Sequence, residues 1–140
     1  MIRKLDERVS VGGQIWPEQL AEIAASGVTT IVNNRPDDEE PGQPSAAEMA
    51  AAAQAAGLKY WHIPVAGGFS PEQVAAMAEA LGEADGPVLA FCRSGTRSTF
   101  LWALAEAQRG EIGETLMRKA AEAGYDLRPI AGYLGRFDQP

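Results

Sequence analysis

The sequence predicts an α/β fold with three layers, in which a mostly parallel central sheet carries helices on both faces. Short apolar segments alternate with helical patterns along most of the chain, an order typical of repeated β–α units. Two of these segments, VTTIV at residues 28–32 and VLAF at residues 88–91, are β-branched or fully apolar, as expected of strands that are buried on both sides. A length of 140 residues suits one core, so residues 1–140 are expected to form a single domain.

The first part of the chain predicts a strand, a helix and a second strand. Residues 9–15 have a strand pattern that Gly12 and Gly13 interrupt. Pro17 suits the first turn of the helix that follows, whose apolar residues fall at i, i+3 and i+4. The second strand is expected at residues 28–32.

Capping signals mark the next two helices. Ser45 and Glu48 have the spacing of a capping box, and Ser70 and Gln73 repeat it. The third strand is predicted between these helices, at residues 58–65.

The last predicted strand, residues 88–91, leads into the heptapeptide CRSGTRS and then into a helix that ends near residue 108. Residues 112–137 contain two further helical patterns and no strand pattern. The helices after the heptapeptide therefore have to cover a sheet that is already complete.

Composition excludes several classes of function. A hydrophobic share of 46% and a charged share of 22% are those of a globular domain rather than a disordered chain. The net charge of −7 argues against a nucleic-acid partner. No apolar run is long enough for a membrane span, so a soluble, cytoplasmic protein without a membrane partner is expected. One Cys and one His cannot form a disulfide or a zinc centre by themselves, and neither a metal nor a cofactor is expected.

The heptapeptide CRSGTRS, residues 92–98, carries the predicted chemistry because it joins a buried strand to a helix. Ligands of α/β sheets bind at the carboxyl ends of strands. Cys92 is the candidate nucleophile, and the electropositive helix N-terminus favours its thiolate form. Arg97 is expected to clamp an anionic substrate. Ser98 is expected to donate a hydrogen bond to the thiolate or to the departing sulfur.

Further residues are predicted to bind the substrate. The backbone of the loop can curl into a nest of N–H groups for an anion, and Arg35 follows the second strand at the same edge of the sheet. The predicted substrate-binding residues are Arg93, Ser94, Gly95, Thr96 and Arg35. The alternative is that Cys92 is a small core residue, but two arginines within five positions of it are costly inside a core.

The combination of CRSGTRS with the upstream segments NNRPDDEEPGQPS and HIPV resembles the bacterial family of phosphatase-like domains found in beta-lactamase hydrolase-like proteins. The resemblance extends over residues 9–125. It implies a fold similar to that of the protein tyrosine and dual-specificity phosphatases. It also implies a sulfur-transfer activity for some members.

Two features separate these chemistries. Tyrosine phosphatases have five residues between the cysteine and the arginine, whereas four separate Cys92 from Arg97, the spacing found in rhodaneses. The segment at residues 64–69, where such phosphatases place an acidic residue, has no carboxylate. Asp37, Asp38, Glu39 and Glu40 offer substitutes for that general acid if their loop folds over the site, with Asp37 or Asp38 taken as the acid, although charge runs are often only solvated turns.

We therefore expect a cysteine-dependent enzyme that acts on a small anionic substrate. The favoured interpretation is a rhodanese-type sulfurtransferase, in which Cys92 takes sulfur from thiosulfate or glutathione persulfide and passes the persulfide sulfur to a thiol acceptor. The alternative is a phosphatase that cleaves phosphate esters through a cysteinyl-phosphate. A third interpretation is a binding module that only holds an anionic partner.

Overall fold

A five-stranded sheet organises the chain, and a computed structural model describes it over residues 2–134. The ends of the predicted domain and of the helical pattern that reaches residue 137 lie outside the described residues. No helix within residues 2–134 combines the length and the apolar character needed to cross a membrane. The strands are β1 (Ile2–Lys4), β2 (Val9–Gly12), β3 (Thr30–Asn33), β4 (Lys59–His62) and β5 (Val88–Phe91). The helices are α1 (Leu20–Ala25), α2 (Ala46–Ala55), α3 (Pro71–Glu83), α4 (Thr96–Gln108), α5 (Gly113–Glu122) and α6 (Ala131–Leu134), and short 3₁₀ turns cover Pro17–Gln19 and Arg128–Ile130.

The strands lie in the order β1-β2-β5-β3-β4, with β5 in the centre. Strands β2, β5, β3 and β4 are parallel, and only β1 runs antiparallel, on the edge next to β2. The register pairs Phe91 with Gly12 on one side and with Asn33 on the other. The carboxyl ends of three neighbouring strands therefore meet at one edge of the sheet.

The central strand packs its side chains alternately on two cores. Val88 and Ala90 belong to the core that α3, α4, α5 and α6 cover. Leu89 and Phe91 belong to the core on the other face, which α1 and α2 cover. This period-two alternation with both faces buried confirms the predicted three-layer α/β arrangement.

The sheet also differs from the prediction in its details. Strand β1 is not predicted, because its three residues are exposed and two are basic, so it has no apolar signal. The predicted strand at residues 9–15 ends at Gly12, and the predicted strand at residues 58–65 shortens to Lys59–His62. Residues 63 and 65 still donate backbone hydrogen bonds to Asn33 and Asn34, so the chain continues alongside β3 without regular strand geometry.

The predicted helix caps are present. The Ser45 hydroxyl accepts the Glu48 N–H at 3.1 Å, and the Ser70 hydroxyl accepts the Gln73 N–H at the same distance. The helices that follow the last strand, and the lack of a further strand up to residue 134, also agree with the sequence.

Met77 tests the core beneath α3. Its side chain is fully buried, and replacing it with alanine leaves a cavity that the packed helices cannot fill. We expect Met77→Ala to lower the free energy of unfolding in urea by about 2–5 kcal/mol. The matched variant Met117→Ala removes the same group from a half-buried position in α5 and should cost clearly less. Equal losses of unfolding free energy in the two variants would contradict the burial of Met77 in the core.

Candidate active site

The candidate site lies at the carboxyl edge of the sheet, where β2, β5 and β3 end side by side. Cys92 follows β5 directly, and its N–H donates to the Gly12 carbonyl at 3.3 Å. On the other side, the Asn34 N–H donates to the Phe91 carbonyl at 2.8 Å. Hydrogen bonds on both sides thus fix the backbone where the chain leaves the sheet. The Cys92 side chain therefore projects from a fixed backbone position.

The cysteine loop, residues 92–98, turns from β5 into α4 around Gly95. Gly95 has a left-handed conformation with φ of 93° and precedes the first residue of α4. Its N–H donates to the Cys92 sulfur at 3.1 Å. The Gly95 carbonyl accepts both the N–H and the hydroxyl of Thr99, at 2.9 and 2.8 Å. The thiol therefore lies at the N-terminus of a 13-residue helix, where backbone N–H groups stabilise negative charge.

Cys92 is fully buried, whereas the tip of its loop is open. Ser94 and Thr96 are exposed, and their hydroxyls lie 3.2 Å apart. Arg93 is also exposed, and its Nε contacts a carboxylate oxygen of Glu40 at 2.7 Å. The sulfur is thus at the base of the loop, with the side chains of Arg93, Ser94 and Thr96 at its rim, whereas the predicted Gly95 and Arg35 are buried.

Arg97 is held in place by three hydrogen bonds. Its Nη1 donates to the Val65 carbonyl at 2.6 Å and to one Glu39 carboxylate oxygen at 2.7 Å. Its Nη2 donates to the other Glu39 oxygen at 2.8 Å. The hydrogen bonds to Glu39 raise the pKa of Arg97, burial opposes this, and the negative charge of Cys92 raises it further. The guanidinium therefore has a defined orientation beside the sulfur.

Arg35 lies behind this pair and is 3% exposed. Its Nε donates to Glu39 at 2.9 Å, and its Nη1 donates to the Gln14 side-chain oxygen at 2.9 Å. Glu39 thus bridges the guanidinium groups of Arg35 and Arg97. The hydrogen bonds from Arg97 lower the pKa of Glu39 to about 2, against the effect of burial and with a further contribution from Arg35.

The acidic run divides its roles in a way that the sequence does not predict. Asp37 accepts the Ala46 N–H at 2.7 Å and so caps the start of α2. Asp38 is exposed in a left-handed turn with φ of 64°. Within the described part of the chain, neither aspartate bonds to the cysteine loop, whereas Glu39 and Glu40 both do. No local pattern distinguishes the four adjacent carboxylates, because the distinction arises from the way the loop folds across the sheet edge.

Ser98 and Tyr125 complete the surroundings of the loop. The Ser98 hydroxyl is buried and has no hydrogen-bond partner among residues 2–134. The Tyr125 hydroxyl donates to the Ser94 carbonyl at 3.3 Å, and a Cβ added at Gly95 would overlap that hydroxyl. Sequence reasoning misses Tyr125, because it follows the cysteine loop by a whole helical hairpin and belongs to no motif.

Comparisons with known proteins identify a phosphatase-like family. Residues 1–109 match the model of the family described as the phosphatase-like domain of beta-lactamase hydrolase-like proteins. The beta-lactamase hydrolase-like protein of Agrobacterium fabrum is 37% identical over 135 residues, which are 95% of this chain and 31% of that protein. The chain therefore spans about a third of the curated relative's length.

Solved protein structures share the fold of this chain. A candidate phosphatase from Neisseria meningitidis superposes with a TM-score of 0.81 at 34% identity and covers 97% of both chains. PTPMT1 superposes with a TM-score of 0.72 at 14% identity, covering 99% of this chain and 96% of the other, which establishes a likeness of fold alone. The expected fold similar to the dual-specificity phosphatases is confirmed. The favoured expectation of sulfur transfer has no support from these relatives, and the phosphatase alternative agrees with them better.

The Glu39 bridge makes stability depend on pH. An ordinary glutamate has a pKa of 4.5, whereas Glu39 has one of about 2, so its ionisation stabilises the folded chain fully above about pH 4.5 and this contribution is lost as the pH falls toward 2. We expect Glu39→Gln to cost about 1 kcal/mol in the free energy of unfolding at neutral pH, since solvent screens the pair. Urea unfolding across acidic pH should then show the difference from wild type shrinking.

The exposed carboxylate of Glu18 provides the control, because it lies outside the site. Glu18→Gln should leave the wild-type pH dependence in place. A Glu39→Gln deficit that stays constant down to about pH 3 would contradict the bridge.

Proposed function

The chain belongs to the family of phosphatase-like domains of beta-lactamase hydrolase-like proteins, and we propose that it hydrolyses phosphate monoesters through a phosphocysteine on Cys92. One observation carries this proposal: the Cys92 sulfur accepts the Gly95 N–H at a helix N-terminus, with the Arg97 guanidinium oriented beside it. A nucleophile that is stabilised as an anion and a cation that binds oxyanions are what phosphoryl transfer requires.

Arg97 retains hydrogen-bonding capacity for a substrate. A guanidinium has five N–H donors, and the bonds to Glu39 and Val65 engage three of them. The donors outside these bonds are Nε–H and one hydrogen of Nη2, which share one edge of the planar group. Such an edge matches two oxygens of a phosphoryl group. Glu39 therefore orients Arg97 and leaves its side-on edge to the substrate and to Cys92, which also interacts with this guanidinium.

In the first step, the Cys92 thiolate attacks the phosphorus atom. A sulfur–phosphorus bond forms as the bond from phosphorus to the ester oxygen breaks, and that oxygen takes up a proton. Arg97 and the loop N–H groups balance the charge on the transferred oxygens. In the second step, water attacks the phosphocysteine, inorganic phosphate leaves, and the thiolate returns. The buried Ser98 hydroxyl, which has no partner among the described residues, is suited to donate to the departing sulfur.

A small anionic substrate suits this site. The fold relative PTPMT1 has been solved in complex with PI(5)P, although at 14% identity that ligand cannot be transferred to this chain. The proposal is therefore limited to phosphate monoesters whose phosphoryl group reaches the buried Cys92 sulfur past the exposed rim of the cysteine loop.

The leaving ester oxygen needs a proton, so the proposed phosphatase requires a proton donor at the site. Glu39 is not suited to supply it, because its pKa is lowered to about 2 and both of its carboxylate oxygens accept hydrogen bonds from Arg97. Asp37 and Asp38 stay the predicted acids. Asp37 would have to leave its bond to the Ala46 N–H, whereas Asp38 is exposed without such a bond in the described chain.

Sulfur transfer remains a second candidate because of the loop length. Four residues separate Cys92 from Arg97, as in rhodaneses, and a shorter loop offers fewer N–H groups to a bulky phosphoryl group. In that reaction the Cys92 thiolate would attack the outer sulfur of thiosulfate. A persulfide would form, sulfite would depart as an anion, and no general acid would be required.

Substitution of the two central residues tests the phosphatase. With an aryl phosphate as substrate, Cys92→Ser should abolish turnover, and Arg97→Lys should lower kcat about 100-fold or more, since a bidentate donor becomes a point charge. The matched control Arg118→Lys alters an exposed arginine of α5 and should leave turnover unchanged. Intact mass of the quenched wild type should show one added phosphoryl group, which Cys92→Ser lacks.

The same mass measurement after incubation with thiosulfate distinguishes the second candidate. One added sulfur atom on wild type, discharged by cyanide, together with no turnover of aryl phosphates, would replace phosphatase with sulfur transfer as the function. A lack of both adducts would contradict catalysis through Cys92.

The pH profile tests the proposed acids. If Asp38 protonates the leaving oxygen, kcat falls on the alkaline side in wild type, and Asp38→Asn removes this limb and slows poor leaving groups most. Asp37→Asn is the matched variant in the same turn. Profiles and leaving-group dependence that both variants leave unchanged would rule out either aspartate as the acid.

A further inference from the structure

Tyr125 reaches the cysteine loop from the turn that follows α5. Its hydroxyl donates to the Ser94 carbonyl at 3.3 Å, and its side chain is half-buried. The residue lies beyond the residues 1–109 that match the family model. The family model therefore does not cover the contact between Tyr125 and the cysteine loop.

The Ser94 carbonyl and the Gly95 N–H belong to one peptide unit. In a trans peptide these two groups point in opposite directions. Tyr125 donates to one end of the unit at 3.3 Å, and the other end donates to the Cys92 sulfur at 3.1 Å. A single rigid plane thus connects the tyrosine hydroxyl to the nucleophile.

This connection affects both the direction and the strength of the hydrogen bond to sulfur. Gly95 has no Cβ and rotates easily about its backbone bonds, so the loop by itself does not fix which way the plane faces. A donor at the carbonyl oxygen holds the plane and also polarises it, which strengthens the N–H as a donor. Loss of the hydroxyl removes both effects.

Tyr125 is itself anchored and remains a donor. Its N–H bonds to the Ala120 carbonyl at 2.8 Å, and Arg3 of β1 donates to the Ala123 carbonyl at 3.2 Å. Burial raises the pKa of Tyr125, Arg3 opposes this, and the charge of Cys92 adds to it. The hydroxyl is therefore protonated at neutral pH and available to the Ser94 carbonyl.

We propose that Tyr125 is a positioning residue, which holds the Ser94–Gly95 peptide so that its N–H stabilises the Cys92 thiolate. The proposal rests on the proposed function only in taking the thiolate as the reactive form. Tyr125 touches no reacting atom in this account and acts through the peptide alone.

The thiolate titration of Tyr125→Phe tests the proposal. Cys92 is the single cysteine, so the ultraviolet absorbance of the thiolate reports on it without ambiguity, with Cys92→Ser as the blank. Losing one hydrogen bond in the chain should move the titration midpoint upward by about half a pH unit. Among the described residues, Arg97 is also affected by the Cys92 charge, and this variant leaves Arg97 in place.

Tyr133→Phe is the matched control, because it removes the same hydroxyl from an exposed residue of α6. It should leave the midpoint where it is in wild type. A second readout is the amide proton of Gly95, whose resonance should shift upfield in Tyr125→Phe as its hydrogen bond to sulfur weakens. An unchanged midpoint and an unchanged Gly95 resonance would overturn the proposal.

Failure of this proposal differs from failure of the proposed function. If aryl phosphates are not hydrolysed but the midpoint and the Gly95 resonance still shift, the positioning role stands and the phosphatase does not. If turnover falls in Tyr125→Phe while both readouts keep their wild-type values, Tyr125 acts in another way and the positioning role is wrong.

Discussion

The short turn from the central strand into α4 is the constraint on which the site depends. Strand β5 ends at Phe91 and α4 begins at Thr96, so Cys92 has little freedom once both elements are packed. The packing is firm, because β5 is buried on both faces and α4 has eight buried residues. A left-handed Gly95 is what lets the chain reverse within this span. The position of the thiol at a helix N-terminus follows from these elements rather than from the loop side chains.

Electrostatics explains why Glu39 and Glu40 lie over the loop. Arg35 is almost fully buried, and a buried guanidinium without a counter-ion is strongly destabilising. Glu39 neutralises it and at the same time holds Arg97, while Glu40 contacts Arg93 and approaches Arg35 to 3.6 Å. Three arginines and two glutamates thus leave one positive charge, and a Cys92 thiolate would balance it. The arrangement needs no further ion to keep the nucleophile charged.

The local parts of this structure could be predicted from sequence, and the non-local parts could not. The cysteine loop is contiguous, so Cys92, Gly95 and Arg97 could be read as one unit beside a buried strand. Glu39 and Tyr125 reach the same loop from distant segments, and only the folded chain reveals that two of the four adjacent carboxylates, Glu39 and Glu40, contact it. Strand β1 escaped prediction for a related reason: its exposed side chains carry no pattern, and pairing with β2 alone defines it.

The length of the cysteine loop determines how much of the charge of a bound anion is stabilised by backbone N–H groups and how much by Arg97 in the proposed reaction. The Gly95 N–H is already directed at sulfur, so a loop with four residues between Cys92 and Arg97 has few backbone donors to spare for an oxyanion. A larger share of the charge then falls on Arg97, and a mobile arginine would lose side-chain entropy on binding. Three hydrogen bonds to Glu39 and Val65 remove that freedom in advance. The anchored Arg97 therefore compensates for the small number of backbone donors in the short loop, whichever anion reaches Cys92.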